Sequence, residues 1–132
     1  MSAEYPNDLK YTKEHEWARP DGKVVTIGIT KFAVDSLGDI TQVDLPDEGE
    51  ELRKDTVFGT VESVKAVSDL FAPCSGKVVK VNSPLSDAPE MVNEDCYDEG
   101  WMIQVEVKDP KELEALMSSS DYEAYLKEQD AG

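Results

Sequence analysis

Histidine occurs once in the 132 residues, at His15, and cysteine only twice, at Cys74 and Cys96. With one imidazole and no C-x-x-C spacing, a zinc site lacks its usual ligands, and a serine–histidine or cysteine–histidine pair would have to use His15 itself. Neither a metal site nor a catalytic residue is therefore expected. Two cysteines make no disulfide framework in a cytosolic chain of this length, so both read as small buried or half-buried fillers. Long apolar runs are missing as well: none approaches the roughly 18 residues that a membrane span needs. The first residues, Met1-Ser2-Ala3-Glu4-Tyr5-Pro6, follow neither a secretory nor a transit pattern, which makes the cytoplasm the expected compartment. Positive charge is scarce, with 13 Lys+Arg against 29 Asp+Glu for a net −16. Such a surface repels nucleic acid and anionic membrane, so neither is expected as a partner. It keeps a protein soluble, and it steers a small protein toward basic patches on larger ones.

What the chain does have is apolar residues (39%) and charged residues (32%) in globular proportion, at a length that makes one domain with its own core. Short strands dominate. Residues 24–29 set Val25, Ile27 and Ile29 on one face, and 40–45 carry Ile40, Val43 and Leu45. In 56–62, Val57, Gly59 and Val61 alternate with Phe58, Thr60 and Glu62; residues 67–72 and 76–81 read as further strands, and 101–107 alternates most clearly. Pro46-Asp47-Glu48-Gly49, Pro73-Cys74-Ser75-Gly76 and Asn82-Ser83-Pro84 mark the turns between them. Strands so spaced predict a sandwich or barrel. Thr30 caps a short helix over Lys31 to Leu37 that Gly38 stops. Asp109-Pro110-Lys111-Glu112 reads as an N-cap, a proline at N1 and a glutamate at N3, with Leu113, Leu116 and Met117 as the apolar stripe behind it. Ser120-Asp121-Tyr122-Glu123 repeats that pattern before a helix over about 120–128, whose Tyr122, Tyr125 and Leu126 dock on the core.

The most informative segment is Glu62-Ser63-Val64-Lys65-Ala66, between the apolar stretches Thr56–Val61 and Val67–Ala72. It sets Lys65 on a hairpin tip that has none of the Asn-Gly or Asp-Gly chemistry of the commonest two-residue turns. A turn lysine is ordinarily a solvated residue that blocks edge pairing. Here small and β-branched neighbours flank it closely, and one carboxylate stands three residues before it, which presents the amine to a modifying enzyme.

The segment Gly59-Thr60-Val61-Glu62-Ser63-Val64-Lys65-Ala66-Val67-Ser68-Asp69 resembles the lipoylation site of the glycine cleavage system H-protein family. Tyr11-Thr12-Lys13-Glu14-His15-Glu16-Trp17, followed by Thr26-Ile27-Gly28-Ile29-Thr30, resembles the same family, as does Val92-Asn93-Glu94-Asp95-Cys96-Tyr97-Asp98-Glu99-Gly100-Trp101-Met102-Ile103. The blocks follow the family's order over roughly residues 10 to 117. The resemblance implies a mostly β, lipoyl-domain-like barrel-sandwich hybrid of short antiparallel strands with minor α and C-terminal helices, as a single domain over 1–132.

It also implies a monomeric, non-catalytic carrier with lipoate joined to Lys65 and with Glu62, Ser63, Val64 and Ala66 recognised by the lipoate-attaching enzyme. The arm takes the aminomethyl group of glycine from a pyridoxal-phosphate-dependent glycine decarboxylase (the P protein). It delivers the carbon on an aminomethyltransferase (the T protein), and dihydrolipoyl dehydrogenase (the L protein) reoxidises it. Glu14, Glu16, Ser36 and Asp69 match segments that line a cleft for the loaded arm, Glu16 and Asp69 holding its amine. With 29 acidic residues in the chain, ordinary surface charge is the competing account of the three carboxylates, Glu14, Glu16 and Asp69. His15 reads as satisfying a local hydrogen bond, and Trp17 and Trp101 as core aromatics.

Two rival readings stand beside this one. Another swinging-arm carrier is disfavoured because biotin acceptors flank the lysine with methionine, whereas Val64 and Ala66 flank Lys65; lipoyl domains of 2-oxoacid dehydrogenase complexes commonly carry an acidic residue just before the lysine. A relay that passes lipoate to other enzymes is compatible with glycine cleavage. The second rival is an acidic β-rich interaction module in which Lys65 is a plain turn residue.

Overall fold

Nine short strands form two antiparallel sheets among residues 5–6 and 8–131, the part of the chain that this computed structural model describes. The larger sheet runs in the order β1 (Lys10–Tyr11), β2 (Glu16–Asp21), β3 (Val24–Ile29), β9 (Ile103–Val107), β8 (Gly76–Val81) and β5 (Glu51–Leu52). The smaller runs β4 (Ile40–Asp44), β6 (Val57–Ser63), β7 (Val67–Phe71), which leaves β7 at an edge. Val25, Ile27, Val78, Ile103 and Val105 from one sheet meet Ile40, Val43, Phe58, Val61 and Leu70 from the other in one buried cluster. Neither sheet closes on itself, so the arrangement is the expected barrel-sandwich hybrid, with a helix at its C-terminal end.

Alternation fails in one instructive place. In β6, Val57, Gly59 and Val61 were expected to share a face, but the register slips between Val57 and Gly59. Val57 is half exposed, whereas Phe58 and Val61 are both buried. The bulge lets two large residues three apart point inward from one strand. Strands β1, β2 and β5 lack an alternation strong enough to read from sequence; β2 holds its place by pairing along its whole length with β3.

Helix α1 (Lys31–Leu37) has the bounds expected: the Thr30 hydroxyl accepts from the Ala33 amide at 3.3 Å, and Gly38 ends it at φ 79. The C-terminal part departs from the pattern. Helix α2 (Glu90–Glu94) and a 3-10 turn at Ser83–Ser86 carry no strong signal. In α3 (Lys111–Glu114) the N-cap is Pro110 rather than Asp109; Asp109 Oδ1 still accepts from the Lys111 amide at 3.1 Å, but Glu112 closes no capping box. Its carboxylate instead accepts from the Ser75 amide at 2.7 Å and the Ser75 hydroxyl at 3.1 Å. The stripe of Leu113, Leu116 and Met117 is broken because the helix stops at Glu114 and Met117 bridges to Tyr11. Helix α4 (Ser119–Ala131) is capped by Ser118 rather than Ser120, its hydroxyl accepting from the Asp121 amide at 3.1 Å.

A second buried cluster of Leu9, Tyr11, Trp17 and Tyr122 docks α4 on the N-terminal strands. Tyr11 and Tyr122 stack at 4.8 Å. The Tyr122 hydroxyl lies 2.7 Å from His15 Nδ1 and 2.8 Å from Thr30 Oγ1, so the partner of His15 is 107 residues away rather than local. Burial lowers the pKa of His15, so its charging opposes folding and stability declines as pH falls below the ordinary histidine range. Cys74 and Cys96 are free and buried, and burial pushes both thiols up to about 12, far from reactive thiolates. Trp101 is only half buried, with the Lys80 ammonium 5.8 Å from its ring.

Trp17 is fully buried, donates to the Cys96 carbonyl at 3.0 Å and lies flat on Gly28. A methyl at Gly28 would stand 2.6 Å from Trp17 Cζ2 and 2.8 Å from Nε1. Gly28→Ala should therefore cost about 3 kcal/mol in a urea unfolding curve, through a lower midpoint at constant slope. A loss below about 0.5 kcal/mol would show that the indole yields without losing its hydrogen bond.

Candidate functional site

Lys65 stands at the tip of the β6–β7 hairpin, where Glu62 pairs with Val67 and the Ser63 amide donates to the Ala66 carbonyl at 2.8 Å. Primed hairpin turns need positive φ, and among the described residues only His15 and Asp55 have it without being glycine. The Val64-Lys65 turn is held another way. The Ser63 hydroxyl accepts from the Lys65 amide at 3.2 Å and the Ala66 amide at 3.1 Å, taking the role of a turn carbonyl. The Val64 amide donates to the Asp39 carbonyl at 3.2 Å, tying the tip to the loop after α1.

That loop is clamped in turn by Asn93, which donates to the Gly38 carbonyl at 2.8 Å and accepts from the Ile40 amide at 2.9 Å. Gly38 has left-handed φ, so a side chain there would be strained, and the Lys65 stem packs over it with Cε 3.5 Å from the Cβ position, an ordinary contact. The backbone under Lys65 is thus fixed from two sides. Its side chain is exposed, and none of the three ion pairs among the described residues involves it. Val64 and Val67 beside it are 70% and 64% exposed, a large outlay of apolar surface next to one amine.

At the other end of β7, roughly 17 Å from the turn at about 3.3 Å per residue, a cleft of about 350 Å³ opens. Its walls include Thr12, Lys13 and Glu14 from the β1–β2 connection, Glu16 at the start of β2, Lys54 and Asp55 ahead of β6, and Phe71. Glu16 is 1% exposed. Its carboxylate accepts from the Thr12 hydroxyl at 2.7 Å and from the Phe71 amide of edge strand β7 at 3.2 Å. The Thr12 hydroxyl also accepts from the Glu16 amide at 3.1 Å. Burial outweighs these bonds and pushes the Glu16 carboxyl up to about 8.

Of the four acidic or hydroxyl residues expected at a cleft, Glu14 and Glu16 line this one, while Ser36 and Asp69 do not. Ser36 is exposed on α1, and Asp69 is exposed on β7, two residues before Phe71 and on the same face. Of the residues flanking Lys65, Ser63 turns its hydroxyl into the hairpin, while Glu62 is half buried and Val64 and Ala66 are exposed. Reading the sequence missed Gly38, Asp39, Asn93 and Thr12 as supports. Asn93 and Thr12 sit inside motif blocks, which was the available signal; the Asp39 carbonyl is a backbone group and had none.

Comparison with known proteins is consistent across three kinds of evidence. The sequence pattern of the family described as Glycine cleavage H-protein matches residues 9–129. The glycine cleavage system H protein of Anaeromyxobacter sp. (strain K) is 59% identical over 127 residues, 96% of this chain and 99% of that protein. The one from Symbiobacterium thermophilum is 52% identical over 126 residues, 96% of this chain and 98% of that protein. A crystal structure of a glycine cleavage system H protein from Mycobacterium marinum superposes with a TM-score of 0.86 at 39% identity, over 92% of this chain and 98% of that one.

Two measurements probe this geometry directly. Ser63→Ala removes the shared acceptor of the turn, a hydrogen-bond contribution of about 1 kcal/mol, so the Lys65 and Ala66 amides should exchange with solvent about fivefold faster while the core amides stay unchanged. The raised Glu16 carboxyl binds a proton in the folded chain that it releases when unfolded, so its contribution to stability is full below about pH 4.5 and is lost as pH rises toward about 8. Between pH 5 and pH 8 the wild type should lose on the order of 3 kcal/mol relative to Glu16→Gln in denaturant titrations. Parallel curves for the two proteins would mean that Glu16 is ionised throughout.

Proposed function

This chain belongs to the glycine cleavage H-protein family, the lipoyl carriers of the glycine cleavage system, and we propose that its lipoyl group is joined in amide linkage to Lys65. The observation that carries this reading is the rigid hairpin tip, with an exposed, unpaired lysine amine on a backbone fixed by the Ser63 hydroxyl and the Asp39 carbonyl. An attaching enzyme needs a fixed backbone to recognise, and the arm beyond the amide needs freedom to swing; the tip supplies both. Glu62, Val64 and Ala66 are the side chains that the enzyme meets around the amine, and Ser63 acts by holding their conformation. Lysine suits the linkage because its amine forms a stable amide and its stem lengthens the arm. Once bound, the lipoyl group supplies a dithiolane that opens to accept a carbon fragment with an electron pair and closes again on oxidation.

In this reading the chain catalyses nothing and works in the cytoplasm as a monomer. Its partners are the glycine decarboxylase that loads the arm, the aminomethyltransferase that unloads it and the dihydrolipoyl dehydrogenase that reoxidises it. The net charge of −16 favours salt-sensitive encounters with basic faces on those enzymes. Laid back along β7, the loaded arm would run past Asp69 toward Phe71 and the cleft that Glu14 and Glu16 line. There Glu16, with Asp69 on the approach, holds the cationic amine, and the cleft walls limit the access of water that would hydrolyse it. Ser36, exposed on α1, remains a candidate for contact nearer the base of the arm.

Lys65→Arg keeps the charge but cannot form the amide. In a system reconstituted from the four components it should abolish glycine-dependent carbon transfer with no change in thermal unfolding. Retained transfer would return Lys65 to the status of a plain turn residue in an interaction module. Glu16→Gln combined with Asp69→Asn should shorten the lifetime of the loaded arm several-fold; an unchanged lifetime would remove the amine-holding role from this pair.

A further inference from the structure

Glu16 combines three features that an ordinary structural carboxylate does not. It is almost fully buried, it borders the cleft, and among the described residues its carboxyl takes hydrogen bonds only from neutral donors, the Thr12 hydroxyl and the Phe71 amide. No ion pair among the described residues includes it. Charged and titratable groups around it are poorly placed to balance an anion. Glu14, on the same connection, opposes its ionisation. The Lys54 ammonium on the opposite wall is engaged by Asp55 at 3.3 Å, and Lys13 is exposed. Tyr11 at the cleft wall and Tyr122 from α4 are neutral phenols held well above their usual range by burial. A buried carboxylate without a cation is unstable unless something neutralises it.

We propose that Glu16 carries a proton in the unloaded carrier and gives it to solvent when the ammonium of the loaded arm seats beside it, so that the cleft exchanges one proton for one amine. The inference rests on the reading that the loaded arm occupies this cleft. The balance is simple: a neutral carboxylic acid and an alkylammonium become a carboxylate–ammonium pair, and the proton passes to water. No bond to carbon changes. Thr12 suits both states, because its hydroxyl donates to the carboxylate and can rotate to accept from the acid. The empty cleft then stores no buried charge, and binding is selective for a cation: a neutral fragment on the arm gives the carboxyl no reason to ionise. Burial acts in the same direction, with the carboxyl at about 8 in the unloaded state.

The test is a carbon-detected NMR titration of the Glu16 side-chain carboxyl in the lipoylated full-length chain, before and after loading with glycine and the decarboxylase. The expected midpoint is near pH 8 unloaded and at least about 2 units lower when loaded, since the ammonium favours the ionised form. An unloaded midpoint in the usual carboxylate range, or a high midpoint that loading leaves unmoved, overturns the proton exchange. The lifetime of the loaded arm in Glu16→Gln separates the two ideas. A shortened lifetime with a failed titration leaves the amine-holding cleft standing and removes only the exchange, whereas an unchanged lifetime with an unmoved midpoint removes both.

Discussion

One buried carboxyl links the two sheets at the end of the molecule where a cleft opens. Glu16 belongs to β2 of the six-stranded sheet, yet its side chain takes the amide of Phe71 on β7, the edge of the three-stranded sheet. An open strand edge is a liability in any β protein, and this one is capped by a side chain from the opposite layer. The Thr12 hydroxyl fixes the carboxyl from behind, and the adjoining His15 hydrogen-bonds to Tyr122 of α4. The C-terminal helix, the edge strand and the segment after α2 therefore converge on three consecutive positions, His15 to Trp17. The polar cost of burying Glu16 is reduced by the hydrogen bonds from Thr12 and Phe71 and by the raised pKa, about 8, which favours the neutral acid.

The two ends of β7 make different demands. At the tip, the backbone is fixed and the lysine side chain is free, since Ser63, Asp39 and Asn93 spend their hydrogen bonds on main-chain groups. At the cleft, the side chain of Glu16 is fixed and the space beside it is open. In the proposed reading a tethered arm would join these two places without movement of the fold, with β7 setting the distance between them. Exposed valines on both sides of Lys65 sit where any enzyme that receives the amine or the arm must close over them.

Much of this was legible in the chain. Alternation gave β3 and β9, the latter begun two residues early, residues 76–81 matched β8, and Thr30 with Gly38 bounded α1 to the residue, because each signal is local and physically direct. Where tertiary contacts overrode local chemistry, the expectation failed. The Glu112 side chain turned to Ser75, Ser118 took the cap from Ser120, and the bulge in β6 took Val57 off the face of Val61. At the site, Lys65 and its neighbours stood out as a turn of unusual composition, but the means of holding that turn did not. A backbone carbonyl at Asp39 has no sequence signature, and nothing local announces that one of 29 acidic side chains, Glu16, is buried.

Lys65 as the attachment point of a lipoyl arm is the proposal on which the others depend. The most direct measurement is the intact mass of the chain expressed with lipoate and lipoylating enzymes, followed by peptide mapping of the modified residue. The expected result is a mass increase of one lipoyl group, carried entirely by the peptide that contains Lys65. An unmodified mass, in cells where a known acceptor becomes lipoylated, would contradict it, as would a lipoyl group mapped to any other lysine.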